Sequence, residues 1–186
     1  MEITDDPRKF GDARNASMIM PQTQPAAPPC ADSRPTPEQL AKANINPATG
    51  LATDYLNHFN EAIMLLDLVA TVPECLPDLM AWSPVSYQEH FASSRFKDRE
   101  LAVVAYQAAD PAARAALERL TDEMTAILLA TSDAMMMEGC AVETTEEASK
   151  AAAQLRVLVA QAGAVINGRP NDQALFDTLF DTLFEH

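Results

Sequence analysis

Glycine is scarce in this chain, at five residues in 186, and β-branched residues rarely alternate with polar ones while Ala and Leu are plentiful. Local propensity therefore favours helix almost throughout the second half and gives no pattern from which to build a sheet. Basic charge is missing over long stretches. No Lys or Arg occurs between Lys42 and Arg95, between Arg119 and Lys150, or after Arg169, while acidic residues continue through all of them. The resulting net charge of -14 would repel a phosphate backbone, so no nucleic-acid partner is predicted.

Long hydrophobic runs are absent too. No apolar stretch approaches the ~20 residues of a membrane span, and the opening Met1 to Asp6 carries acid where a secretory signal carries base, so the sequence predicts no membrane partner and a cytoplasmic location. Cys30, Cys75 and Cys140 are odd in number and far apart. This spacing fits neither a disulfide framework nor a paired-cysteine metal knuckle, and predicts reduced thiols. There is no nucleophile triad, phosphate loop or dinucleotide fingerprint, so no catalytic residue is assigned, and the sequence favours a non-enzyme without deciding the matter.

What is there reads as one all-α domain behind a flexible arm. Eight of the thirteen prolines fall in residues 1 to 47, among small and polar residues, which predicts a disordered Pro-rich arm over 1 to 45 and a helical domain over 46 to 186. The stretch Pro21 to Pro29 lacks the basic residue and PxxP pairing that a polyproline-reading groove needs, so it reads as a tail or linker.

Within the domain, Asn46-Pro47 supplies a helix-start signal that Gly50 would delay to Leu51, and Tyr55, Phe59, Ala62, Ile63, Leu66 and Val69 then follow helical spacing as far as Pro73. A short helix is predicted up to Trp82. Ser86-x-x-Glu89 has the form of a capping box for a second short helix through about Ser93. Residues 96 to 109 form a further helix with Phe96, Leu101, Val104 and Ala105 inward. Asp110-Pro111 opens the longest helix, carried by Ala113, Leu117, Leu120, Met124, Ile127 and Thr131 to a stop at Gly139. Thr144-x-x-Glu147 opens another, running to Asn167-Gly168, and a last helix is expected from Asn171. The sum is a bundle of about four main helices plus two short ones.

Four features could carry function. The first is a repeated five-residue frame, Tyr55-Leu56-Asn57-His58-Phe59 and Tyr87-Gln88-Glu89-His90-Phe91. Each copy reads as an aromatic pair facing the core with a histidine at its edge. Imidazole beside carboxylates can also hold a divalent metal, and His58, Glu61 and His90 would be its ligands. A helical metal- or cofactor-binding protein is therefore the alternative function, although no cofactor is predicted and no Glu-x-x-His helix of the di-iron bundles is present.

The second feature is the basic cluster of Arg95, Lys97 and Arg99 around Phe96, flanked by Asp98 and Glu100, where Phe96 could anchor an acidic partner. The third is Met135-Met136-Met137, whose side chains leave a helix in different directions, so core filling is the expected role. The fourth is the carboxyl-terminal repeat of Leu175-Phe176, Leu179-Phe180 and Leu183-Phe184 opposite Asp177 and Asp181. It predicts an amphipathic helix that docks on its own bundle, pairs with a second copy or fills a groove on a protein partner. The expected function is protein-protein interaction, as a regulator, adaptor or assembly factor.

Overall fold

The computed structural model describes residues 34 to 138 and 142 to 169. Seven α-helices occur among them: α1 Pro37–Lys42, α2 Leu56–Thr71, α3 Leu76–Ala81, α4 Tyr87–Ser93, α5 Arg99–Gln107, α6 Pro111–Glu138 and α7 Val142–Ile166. Short 3-10 turns over Thr53–Tyr55 and Pro73–Cys75 lead into α2 and α3. Among the described residues there is no strand, and one isolated bridge pairs Ile45 with Ala52. The all-α expectation holds.

The helix α7 lies between α2 and α6 and packs along both. Its direction relative to α2 follows from three contacts. Thr49 Oγ1 donates to the Ile166 carbonyl at 2.7 Å, Gly163 abuts Leu56, and Arg156 pairs with Asp67, so rising numbers on α2 meet falling numbers on α7. The two helices are antiparallel. Their shared core is built from Phe59, Leu66, Leu155 and Ala162, while Leu117, Leu120, Met124 and Leu128 supply the buried face of α6. The shorter α4 and α5 pack on each other and α3 packs on α2.

Helix boundaries have local causes. Asp110 Oδ1 accepts from the Ala113 amide at 2.8 Å and Pro111 takes the first helical position, as its sequence predicts. Ser86 and Glu89 form the expected capping box of α4, each accepting from the other's backbone N–H. The helix α7 ends in a Schellman turn: Gly168 N–H donates to Val165 and Arg169 N–H to Ala164, both at 3.0 Å, with Gly168 at φ +66°.

Several boundaries differ from expectation. The described body starts before residue 46, because Thr36 caps α1 in a full capping box and Leu40, Ala43 and Ile45 are buried. A short helix of one apolar residue per turn is hard to tell from a polar arm in sequence. Asn46 caps a tight turn rather than a helix, its Oδ1 accepting from Ala48 N at 2.8 Å, while Gly50 N–H returns to the Asn46 carbonyl at the same distance. The helix α7 begins at Val142, so Thr145 lies within its first turns. Acidic side chains near that end favour the earlier start through the helix dipole.

The helix α5 covers Arg99–Gln107 rather than 96 to 109, so Phe96 precedes it, and its inward face differs as well. Ala102 and Ala105 are its buried residues, whereas Val104 is 46% exposed. A nine-residue helix buries a narrow strip, and the small alanines take it. The expected terminal helix over 171 to 186 lies outside the described residues.

Candidate functional site

The two Tyr-x-x-His-Phe copies meet in space. Copy one spans the last residue of the 3-10 turn and the start of α2, copy two opens α4, and Tyr55 and Tyr87 touch edge to face with ring centroids 5.2 Å apart. The polar tips cross over. The Tyr55 hydroxyl donates to the carbonyl of Val85, two residues before the second copy, at 2.9 Å; the Tyr87 oxygen accepts from the amide of Ala52, three residues before the first, also at 2.9 Å.

The histidines repeat the exchange. His58 Nε2 lies 3.0 Å from the Ser83 carbonyl, and His90 Nε2 lies 3.2 Å from Asp54 Oδ2. Every polar tip thus ties down the chain leading into the other copy. The sequence frame is a reciprocal clamp between the start of α2 and the segment 83 to 87 before α4.

Aromatic packing closes the clamp. Trp82 lies flat on His58 at 4.7 Å and its indole N–H donates to the His58 carbonyl at 3.2 Å. Tyr87 stacks on Tyr106 of α5 at 4.4 Å, and Phe91 meets Phe96 edge to face at 5.2 Å. Burial pushes the Tyr55 phenol up to about 12, the neighbouring Thr121 hydroxyl opposing and the charges of Asp122 and Glu89 adding. Burial likewise raises the Tyr87 phenol, against the Ala52 amide. Both phenols are neutral hydrogen-bonding struts near pH 7.

His58 is held below the usual histidine range, first by burial and then by the neighbouring His90, with the Ser83 hydrogen bond and the Glu61 charge opposing. A carbonyl can only accept, so His58 carries its proton on Nε2 when neutral. That nitrogen has no lone pair to offer a metal. His90 Nε2 is similarly committed to the Asp54 carboxylate, and Asp54 also accepts from Asn57 Nδ2 at 3.1 Å.

These commitments bear on the predicted ligand trio. His58 and His90 do approach, with ring centroids 6.3 Å apart, but Glu61 instead lines an open groove with His58, Asp78 and Trp82. Among the described residues no group of three or more His, Cys, Asp or Glu side chains is placed to hold a metal ion. His58, Glu61 and His90 are therefore not gathered into one three-ligand group among the described residues. Glu89 is engaged in capping α4, and the two Ser86 hydrogen bonds lower its carboxyl.

The basic cluster is also rearranged. Phe96 is half-buried and packs inward on Phe91, leaving Arg95 and Arg99 exposed without the apolar anchor expected between them. Apart from the His90–Asp54 contact, the ion pairs among the described residues are Arg114 with Glu118 and Arg156 with Asp67, so Arg95, Lys97 and Arg99 stay unpaired there. Met135 is buried at 1% exposure while Met136 and Met137 point out at 61% and 83%, as the helical geometry of consecutive residues demands. Leu175, Phe176, Leu179, Phe180, Leu183 and Phe184 lie outside the described residues.

Two features escaped the sequence reading. One is an apolar ridge along the end of α2, formed by Met64 and Leu68 with Val72 at the C-cap, which are 53%, 39% and 42% exposed. Its signal is the four-residue spacing of Met64, Leu68 and Val72 just beside the core face. The other is a cleft of about 460 Å³ between α6 and the segment 84 to 88, floored by Tyr55, Tyr87 and Tyr106 and edged by Glu118 and Asp122. Only Glu118 and Asp122, four apart on one helix, hint at it in sequence.

No helix among the described residues is long and apolar enough to cross a membrane. No family model, no curated protein and no solved structure matches this chain.

Proposed function

We propose that this protein works by binding another protein, as a regulator, adaptor or assembly factor, and that the α2 ridge is a principal contact. The observation supporting this is the row of Met64, Leu68 and Val72, each four residues from the next and each at least 39% exposed. Met64 and Leu68, four apart on α2, share one helix face, and Val72 follows at the helix's C-cap with non-helical backbone, so the apolar strip is the Met64–Leu68 pair with Val72 just beyond its end. Full burial of such a side chain contributes about 1.5–3 kcal/mol, and a partner covering the strip would recover roughly half of that at each position. A contiguous apolar strip rimmed by polar groups, here Asn60, Glu61 and Asp67, is the usual form of a contact surface.

The Leu-Phe pairs of residues 175 to 184 are the second apolar element of the proposal, offered to a protein partner or to a second copy. The net charge of -14 argues for a protein rather than a nucleic acid as partner, and the spaced thiols suit a reducing cytoplasm.

The test compares native full-length protein with a Met64→Glu/Leu68→Glu variant by sedimentation and by affinity purification from the native host. A stoichiometric complex or dimer lost in the variant, with unchanged circular dichroism, is the expected result. Identical association in both proteins would overturn the role of the ridge.

A further inference from the structure

We infer that the groove between the outer sides of α2 and α7 is the seat of this chain's own Leu-Phe segment, residues 175 to 184, folded back on α7 as a latch. The groove is built from residues that the packing of the two helices already fixes. Asp67 of α2 reaches across to Arg156 of α7, and this ion pair bridges the groove. Met64 lies three residues before Asp67, while Ala153 lies three before Arg156 and Ala160 four after it, so these side chains border the pair on its own side. Met64 is 53% exposed, Ala160 is exposed and Ala153 is half-buried.

The composition of α7 calls for a cover. Ala152, Leu155, Leu158 and Ala162 occupy its core side, yet the outer side does not turn polar. From Ala151 to Ile166 the only charged residue is Arg156, already paired with Asp67, and the outward positions are Ala153, Val157, Ala160 and Ala164. A helix that is apolar all round is an interior helix, whereas α2 and α6 leave Ala160 open to solvent.

The occupant follows from where the chain goes next. The Schellman turn at Gly168 reverses the chain at the end of α7, and Pro170 just beyond it cannot extend that helix. Asn171 then offers a cap, and Leu175, Phe176, Leu179, Phe180, Leu183 and Phe184 recur at four-residue spacing, so a helix over this stretch carries two adjacent apolar rows. Such a helix from 171 to 184 is about 20 Å long, and α7 offers about the same length from Ile166 back to Ala153. Large side chains on the segment meet small ones on α7, the complement that close packing requires. Two antiparallel helices on so short a link form a helical hairpin, and the tether holds the segment at an effective concentration of about millimolar, which favours this seat over the same seat on a second copy. Docked there, the segment covers Met64 at one end of the α2 ridge, and a partner has to displace it. That regulatory consequence rests on the ridge reading proposed above; the docking itself does not.

The experiment places a reporter thiol in the groove of the full-length protein, Ala160→Cys in a Cys30→Ser/Cys75→Ser/Cys140→Ser background, and follows its alkylation by iodoacetamide. The thiol is expected to react about tenfold more slowly than a cysteine in an unstructured peptide, at a rate independent of protein concentration, and Leu179→Asp/Phe180→Asp is expected to remove most of that protection. A second readout needs no disruptive change. In the same background, Asn60→Cys/Asp177→Cys, at two polar positions flanking the groove and the apolar rows, should be bridged within one chain by a short bismaleimide. Alkylation as fast as the peptide, protection unchanged by the tail substitutions, or a bridge that is absent or joins only separate chains would overturn the inference. Neither readout involves a partner, so failure of the latch leaves the ridge reading standing, and a ridge variant that associates normally leaves the latch standing.

Discussion

Trp82 stacks on His58 with 4.7 Å between ring centres and 22° between planes, and its indole N–H donates back to the His58 carbonyl. The sole tryptophan of the chain is therefore in contact with one member of the histidine pair. An imidazolium quenches indole emission more strongly than neutral imidazole, so Trp82 fluorescence should fall on acidification. Because burial holds His58 below its ordinary value of 6.5, the midpoint should lie below 6.5. Replacing His58 with Gln should abolish the transition, and a titration with its midpoint above 6.5 would contradict the geometry.

The same shift sets the sign of a stability change. The folded state holds His58 neutral at a pH where the unfolded chain already binds the proton, so the unfolded state carries more protons below 6.5. The contribution of His58 is fully present above pH 6.5 and is lost as pH falls from there through the lowered folded value. Urea midpoints of native protein should drop across that window more than those of His58→Gln.

The two tyrosine struts should not be equivalent. Tyr87→Phe strands the buried Ala52 amide and should cost about 1–3 kcal/mol in urea unfolding. Tyr55→Phe releases the Val85 carbonyl, which is only part-buried and can find water, so about 0.5–1.5 kcal/mol is expected. Equal costs would mean that the exchange between the copies is less directional than its hydrogen bonds.

Gly50 and Gly168 give a paired test of the backbone. Both have positive φ, at +74° and +66°, but a Cβ on Gly50 would lie 2.9 Å from the Ala105 carbonyl oxygen, whereas one on Gly168 would find its nearest neighbour at 3.6 Å. Gly168→Ala should cost about 1 kcal/mol for conformation alone. Gly50→Ala adds a backbone clash and should cost more, at the upper end of the ~1–3 kcal/mol for a strained site. Thermal melts of the two variants would rank them directly.

Surface and core changes should separate cleanly. Leu68→Glu, on the ridge, should shift stability by no more than about 0.5 kcal/mol while reducing association, whereas Phe59→Ala, at 1% exposure, should cost about 3–5 kcal/mol. Denaturant unfolding and sedimentation on the same samples read both effects.

The sequence by itself determined the helices and most of their ends, because these depend on neighbours a few residues apart. Asp110-Pro111, Ser86-x-x-Glu89 and Asn167-Gly168 each satisfy or release backbone groups within one turn, and the apolar spacing of Tyr55, Phe59, Ala62, Ile63 and Leu66 is a property of α2 alone. It failed at Leu40 and Ile45, whose segments carry too few apolar residues to show a face without the body they pack against. Only the tertiary structure decided the site. The Tyr-x-x-His-Phe repeat is visible in the chain, but whether His58 would meet a metal, a carbonyl or Trp82 depends on how the segment 83 to 87 crosses the start of α2. The same holds for Phe96, which turned to Phe91, and for the cleft, whose tyrosines and carboxylates lie on separate helices. Hydrogen bonds and ring contacts between residues some 30 apart leave no periodic trace in a sequence, so their pairing appears only when the helices pack.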